Sequence, residues 1–207
     1  MKPHRIALAM TGASGIQYGL RLMQCLIEAD KQIYLLLSQP AQVVMAMETE
    51  LKAPADRREA QAYFSQLYNA KEGQLTLFGP QQWTAPLASG SGTADAMVVC
   101  PCTTGTLAAI ASGQSNNLIE RAADVMMKEK RQLIVMPREM PLSEIHLENM
   151  LKLARMGVTI MPPNPGFYFQ PQSVAEIIDF IVAKVLDHLQ VEQQLLPRWG
   201  LDENEAK

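Results

Sequence analysis

The chain is poor in cysteine, in net positive charge and in long apolar runs, and each shortage closes off a class of protein. Cys25, Cys100 and Cys102 make an odd set without the spacing of a disulfide framework, which fits a reducing cytoplasm. Cys100 and Cys102 form a C-x-C step with no second pair, and His4, His146 and His188 are scattered, so no zinc-ligand spacing is present. A net charge of −3 gives no general attraction to nucleic acid or to anionic lipid, and any basic site has to be local. The basic start (Lys2, His4, Arg5) precedes an apolar stretch that glycines soon interrupt, too short for a secretory leader. No later run is long enough to span a bilayer. These absences describe a soluble, cytoplasmic protein that meets neither nucleic acid nor membrane.

What is present is ordinary in composition and regular in pattern. The 207 residues, 48% apolar and 19% charged, suffice for one sizeable α/β domain with a full core. Apolar runs of strand length recur at Arg5–Ala9, Ile33–Leu37, Ala96–Cys100, Leu133–Met136 and Val158–Met161 and read as buried parallel strands. Amphipathic stretches separate them over Ser14–Ala29, Gln39–Glu50, Thr103–Ser112, Leu118–Lys130, Ser143–Met156 and Ser173–Leu189. The alternation predicts one doubly wound, mostly parallel α/β domain over residues 1–189, with the strand order left open. Residues 52–92 break the rhythm. They hold a polar helical segment (Ala55–Asn69), a short strand candidate (Gln74–Phe78) and a loop from Gln81 to Gly92 that carries Trp83 and Ser89. A loop of that length in a compact domain is usually functional. The tail, residues 190–207, is polar apart from Val191, Leu195, Leu196 and Trp199; it cannot build its own core and is expected to dock on a neighbouring subunit.

Directly after the first strand comes Met10-Thr11-Gly12-Ala13-Ser14-Gly15, a small-residue turn that opens the first helix. In an open α/β sheet this turn is where ligands bind, with helix N–H groups aimed at a phosphate. Taken alone, it equally fits a simple helix cap. Strand two ends at Ser38, where a dinucleotide enzyme would place an acid to hold a ribose. The glycines run Gly-x-x-Gly instead of Gly-x-Gly-x-x-Gly, and both departures favour a phosphate monoester such as FMN over NAD. A second turn, Pro101-Cys102-Thr103-Thr104-Gly105-Thr106, repeats the hydroxyl and glycine chemistry at another helix start.

A separate cationic set follows. Arg121 and Lys128 lie two helical turns apart on one face, Arg138 stands beside Glu139 at a strand end, and Lys184 sits on the last helix. The proline-rich loop from Pro162 holds Tyr168 in place. This grouping suits a second phosphate, although spacing alone also allows Arg121 and Lys128 to be a solvated charged stripe. Glu48 ends its helix, facing the negative end of the helix dipole, a placement that suits a proton donor or shuttle.

In their order along nearly the whole chain, these motifs resemble the flavin prenyltransferases of the UbiX type. The resemblance rests on Met10 to Gly15, Cys100 to Thr106, Asn116 to Glu129, Pro137-Arg138-Glu139, and Met161-Pro162-Pro163 through Phe167-Tyr168. It implies a Rossmann/flavodoxin-like three-layer sandwich in a homo-oligomer, often a dodecamer, with FMN near subunit contacts. The implied reaction joins the dimethylallyl group of dimethylallyl monophosphate to reduced FMN at N5 and C6, releasing phosphate. Its product, prenylated FMN, would serve a partner decarboxylase, in some cases in ubiquinone synthesis.

By the same resemblance, Gly12, Ala13, Ser14, Ser38 and Arg138 meet FMN together with Thr103, Thr104, Gly105 and Thr106, and Trp83 and Ser89 lie in the loop beside its ring. Arg121, Lys128, Tyr168, Lys184 and Trp199 correspond to the dimethylallyl phosphate positions. Ser14, Glu48, Lys128, Arg138, Glu139 and Tyr168 make up the implied catalytic set, with Glu48 handling protons. Cations around the leaving phosphate would stabilise it without a metal.

Two other readings use the same fold. A flavin-dependent cysteine decarboxylase would need an active-site His in the first half of the chain, and none lies between His4 and His146. A plain FMN-binding or electron-transfer module would leave the second cationic set without a task.

Overall fold

Six parallel strands line up in the order β3-β2-β1-β4-β5-β6 in the computed structural model, which describes residues 3–196. They are β1 (Arg5–Met10), β2 (Gln32–Leu37), β3 (Leu75–Phe78), β4 (Ala96–Cys102), β5 (Gln132–Pro137) and β6 (Thr159–Ile160). Seven α-helices among the described residues connect and flank them: α1 (Ile16–Glu28), α2 (Gln39–Glu48), α3 (Arg57–Leu67), α4 (Thr104–Ala111), α5 (Leu118–Lys128), α6 (Glu144–Arg155) and α7 (Val174–His188). None of these helices is long and apolar enough to cross a membrane.

The strand alternation divides the core into two layers. Ile6, Leu8 and Met10 of β1 point to one side, with Ile33, Leu35 and Val98, and pack against α1, α2, α3 and α7. Ala7 and Ala9 point to the other, with Leu36, Val99 and Val135, and pack against α4, α5 and α6. Covered on both faces, the central strands are apolar throughout, as a parallel sheet requires. The result is the doubly wound three-layer sandwich expected from the alternation.

Side-chain caps set where most helices begin. Ser38, Asp56, Thr103, Asn117, Ser143 and Ser173 each accept a backbone N–H in the first turn of α2 to α7. Each such cap contributes about 1 kcal/mol. Helix α1 is the exception: its N-cap is Gly15, at a left-handed φ of 96°, with no side-chain cap of its own.

One expectation is corrected. The run Val158–Met161 is not a fully buried strand: only Thr159 and Ile160 pair, both half-buried, because β6 is an edge strand with β5 as its one neighbour. The stretch from Gln81 to Gly92 is a loop, as expected. It contains a 3-10 turn at Pro86–Ala88, anchored by fully buried Leu87 and by Arg121 Nε donating to the Ala88 carbonyl at 3.0 Å.

Candidate functional site

The strand order reverses between β1 and β4, and their carboxyl ends form the crevice where open α/β sheets hold ligands. The two small-residue turns leave from these ends. Thr11, 2% exposed, joins them: its hydroxyl donates to the Pro101 carbonyl at 2.9 Å and accepts from the Thr103 N–H at 2.8 Å. Its own N–H reaches the same Pro101 carbonyl at 3.1 Å. Beyond it, Ala13 is buried and Ser14 is exposed. A Cβ on Gly12 would stand 2.3 Å from Pro40 Cβ, so the turn lies pressed against the first residues of α2. Ser38 joins the same edge, its N–H bonded to the Met10 carbonyl at 3.1 Å and its hydroxyl accepting from the Ala41 N–H.

At the second turn, Thr103 Oγ1 accepts from the Thr106 N–H (3.1 Å) and donates to Thr106 Oγ1 (2.9 Å). The N–H groups of Thr104 and Gly105 begin α4 without intrahelical acceptors. The space where a Cβ of Gly105 would stand is open, with nothing nearer than 4.0 Å. Arg138 completes this edge. Its N–H bonds the Cys102 carbonyl at 3.2 Å, and its Nε is buried with no hydrogen-bond partner. Leaving a buried donor unpaired costs about 1–3 kcal/mol, so the site calls for an anionic acceptor. Hydroxyls, helix-start N–H groups and a guanidinium in one crevice fit the phosphate of a ligand such as FMN.

Glu48 departs from its expected surroundings. Although it ends α2, its Oε2 accepts from the Gly15 N–H at 2.8 Å and the Ile16 N–H at 3.3 Å. The carboxylate therefore caps α1, facing a helix N-terminus and not the acceptor-rich C-terminus of its own helix. Gln17 holds the end of α2 from the other side, donating to the Glu48 carbonyl at 3.1 Å. Glu48 also lines a cavity of about 580 Å3 with Met45, Met47, Leu51 and Ala53.

The expected second phosphate group is not assembled within one chain. Arg138 follows the last residue of β5, whereas Lys128 ends α5, just before β5 begins. The six residues of β5 separate them by roughly 20 Å at ~3.3 Å per residue. At its own edge Lys128 pairs with Glu129 and lines a pocket with Asp124 and Lys152. Arg121 is held by Asp124 at 2.8 Å and by the Ala88 carbonyl. Tyr168 and Lys184 meet at one ring: the Tyr168 ring lies 5.8 Å from that of Phe180, and Lys184 Nζ sits 5.7 Å from the same ring centroid. Glu139 is exposed and accepts from the Met140 N–H at 3.1 Å. Trp83 is 46% exposed on the loop after β3, and Ser89 is exposed near the start of β4. Trp199 lies outside the described residues; the described part of the tail, to Leu196, packs Leu195 and Leu196 against the α1/α7 side of the core.

Sequence reasoning did not single out Thr11 as a link between the turns. The one signal was a hydroxyl just past β1, whose partners lie on another strand. All three thiols are buried; burial pushes the Cys25 thiol up to about 11 and raises those of Cys100 and Cys102 further. Such thiols stay protonated and are not nucleophiles. Among the described residues no cluster of three or more His, Cys, Asp or Glu is placed to hold a metal.

A Rossmann-ordered parallel sheet with two donor-lined turns at its switch point defines a binder of phosphorylated ligands, and the flavoprotein family model matches residues 1–186. The chain is also 55% identical over 198 residues to the flavin prenyltransferase UbiX of Pseudomonas aeruginosa, covering 96% of this chain and 95% of that one. It belongs to the UbiX flavin prenyltransferase family. Among solved structures, AnUbiX in complex with FMN and dimethylallyl pyrophosphate superposes with a TM-score of 0.85 at 38% identity, covering 95% of this chain and 97% of that one. A dodecameric FMN-dependent UbiX-like decarboxylase from Escherichia coli gives a TM-score of 0.83 at 40% identity, with 94% and 98% covered.

Proposed function

We propose that this chain joins the dimethylallyl group of dimethylallyl monophosphate to reduced FMN at N5 and C6, releases phosphate, and supplies prenylated FMN to a partner decarboxylase. The observation that carries this reading is the buried Arg138 Nε, left without a hydrogen-bond partner beside the two turns. Reduced FMN, when bound, supplies the electron-rich ring that accepts the allyl group. The turns at Gly12–Ser14 and Thr103–Thr106, with Ser38, bind and orient the flavin, and Arg138 reaches across the same crevice. Breaking the allylic carbon–oxygen bond leaves phosphate, and Arg138, Arg121, Lys128 and Lys184 stabilise that departing charge, with Tyr168 as a hydroxyl donor. Glu48, fixed at the start of α1 beside Ser14, is placed to move a proton, with Glu139 beside Arg138.

The separation of Lys128 from Arg138 supports a set shared between several copies of the chain. Exposed apolar residues favour such an assembly: Met140 (87%), Ile145, Leu147 and Leu151 on and before α6, and Val43 and Met47 (80%) on α2. Docking of the tail on a neighbouring copy remains part of the proposal only beyond Leu196, because Val191, Leu195 and Leu196 pack on the chain's own core.

One assay tests the reaction. The FMN-loaded protein is reduced anaerobically and given dimethylallyl monophosphate, and the extracted flavin is analysed by mass. A flavin heavier by one prenyl group is expected; unmodified flavin at saturating substrate rejects the prenyltransferase reading.

A further inference from the structure

We propose that Thr11 is a positioning residue for the flavin, its hydroxyl locking the β1 turn to the β4 turn so that the two present one donor set. The inference rests on the reading that these turns hold FMN. The paired register of β1 and β4 ends at Ala9 and Val99, although β4 runs on to Cys102, and each strand then leads into its own turn. The ladder is replaced there by the contacts of one residue. Thr11 N–H and Thr11 Oγ1 both donate to the Pro101 carbonyl, and Thr11 Oγ1 accepts from the Thr103 N–H.

Thr103 is the N-cap of α4, so its orientation sets the direction of the Thr104 and Gly105 N–H groups and of the Thr103–Thr106 hydroxyl pair. At 2% exposure Thr11 acts from beneath the crevice, through Thr103. Its influence extends to Arg138, whose N–H is bonded to Cys102, the residue before Thr103. Valine in this place has the same shape but offers no acceptor, leaving the part-buried Thr103 N–H without its partner and the cap free to tilt. Serine keeps the hydroxyl.

The test compares wild type, Thr11→Val and Thr11→Ser by titrating FMN through its fluorescence, alongside thermal unfolding of the same proteins without FMN. The valine variant is expected to raise the FMN dissociation constant about tenfold, equivalent to ~1.4 kcal/mol. Its KM for FMN should rise by the same factor, and the serine variant should stay close to wild type. A valine variant that melts earlier yet binds FMN as tightly as wild type would make Thr11 merely structural and overturn the inference. If the valine protein does not fold, serine decides: retained affinity supports the hydroxyl's role, and a loss comparable to that expected for valine overturns it. Wild-type protein that fails to bind FMN rejects the functional reading itself, an outcome distinct from both.

Discussion

Lys184 carries its ammonium over the face of Phe180, and Tyr168 packs edge-on against the same ring. The aromatic surface limits where that charge can go, which suits a cation meant to meet a phosphate at a fixed place. Lys184→Ala is therefore expected to raise the KM for dimethylallyl monophosphate about tenfold while FMN affinity stays unchanged. Steady-state kinetics and an FMN titration check this, and equal loss of both would assign Lys184 to the flavin instead. Residue types at this scale were readable from sequence, but residue partners were not. Glu48 was evident as an acid ending a helix, yet its partner Gly15 lies 33 positions away along the chain. Thr11 and Thr103 are 92 apart. Contacts across the sheet follow from strand order, which periodicity does not encode.

Between elements, Asp95 ties the beginnings of three strands together. Just before β4, it accepts from the His4 N–H (3.0 Å) and Arg5 N–H (2.9 Å) at β1, and Arg131 beside β5 lies 3.9 Å away. Burial pushes its carboxyl up, but the two N–H bonds and the Arg131 and Arg5 charges outweigh burial and hold it below the usual carboxylate range. A carboxyl lower in the folded than in the unfolded state, where it titrates near ~3.9, adds stability above that pH and loses it as pH falls through the folded value. Asp95→Asn is expected to cost about 1 kcal/mol at neutral pH, kept small by solvent screening, with the difference closing below roughly pH 4. Urea unfolding at the two pH values measures it. Elements were more legible than contacts. Strands covered on both faces are continuous apolar runs, and caps such as Ser38, Thr103 and Ser143 mark helix starts. The overestimate at Val158–Met161 arose because an apolar run does not reveal that its strand lies at a sheet edge.

For the whole molecule, the parallel sheet gives the protein two unlike rims. Arg138 and both ligand turns crown one rim, and Lys128 sits at the other, so a site that uses both must join copies. Mixing Arg138→Ala with Lys128→Ala subunits, each inactive alone, is expected to recover up to about a quarter of wild-type activity by random assembly. Failure to recover any, with subunit exchange verified by mass, would place both cations on one copy. The order helix, Lys128, strand, Arg138 was already present in the sequence, but grouping the cations by charge type passed over the strand that holds them apart. The thiols have a consequence of another kind. With all three shielded and protonated, maleimide reagents should pass the folded protein by. The natural chain is thus a blank background for labelling: a single cysteine introduced on the exposed Trp83 loop would be the one reactive thiol, and a dye there would report assembly and ligand entry in real time.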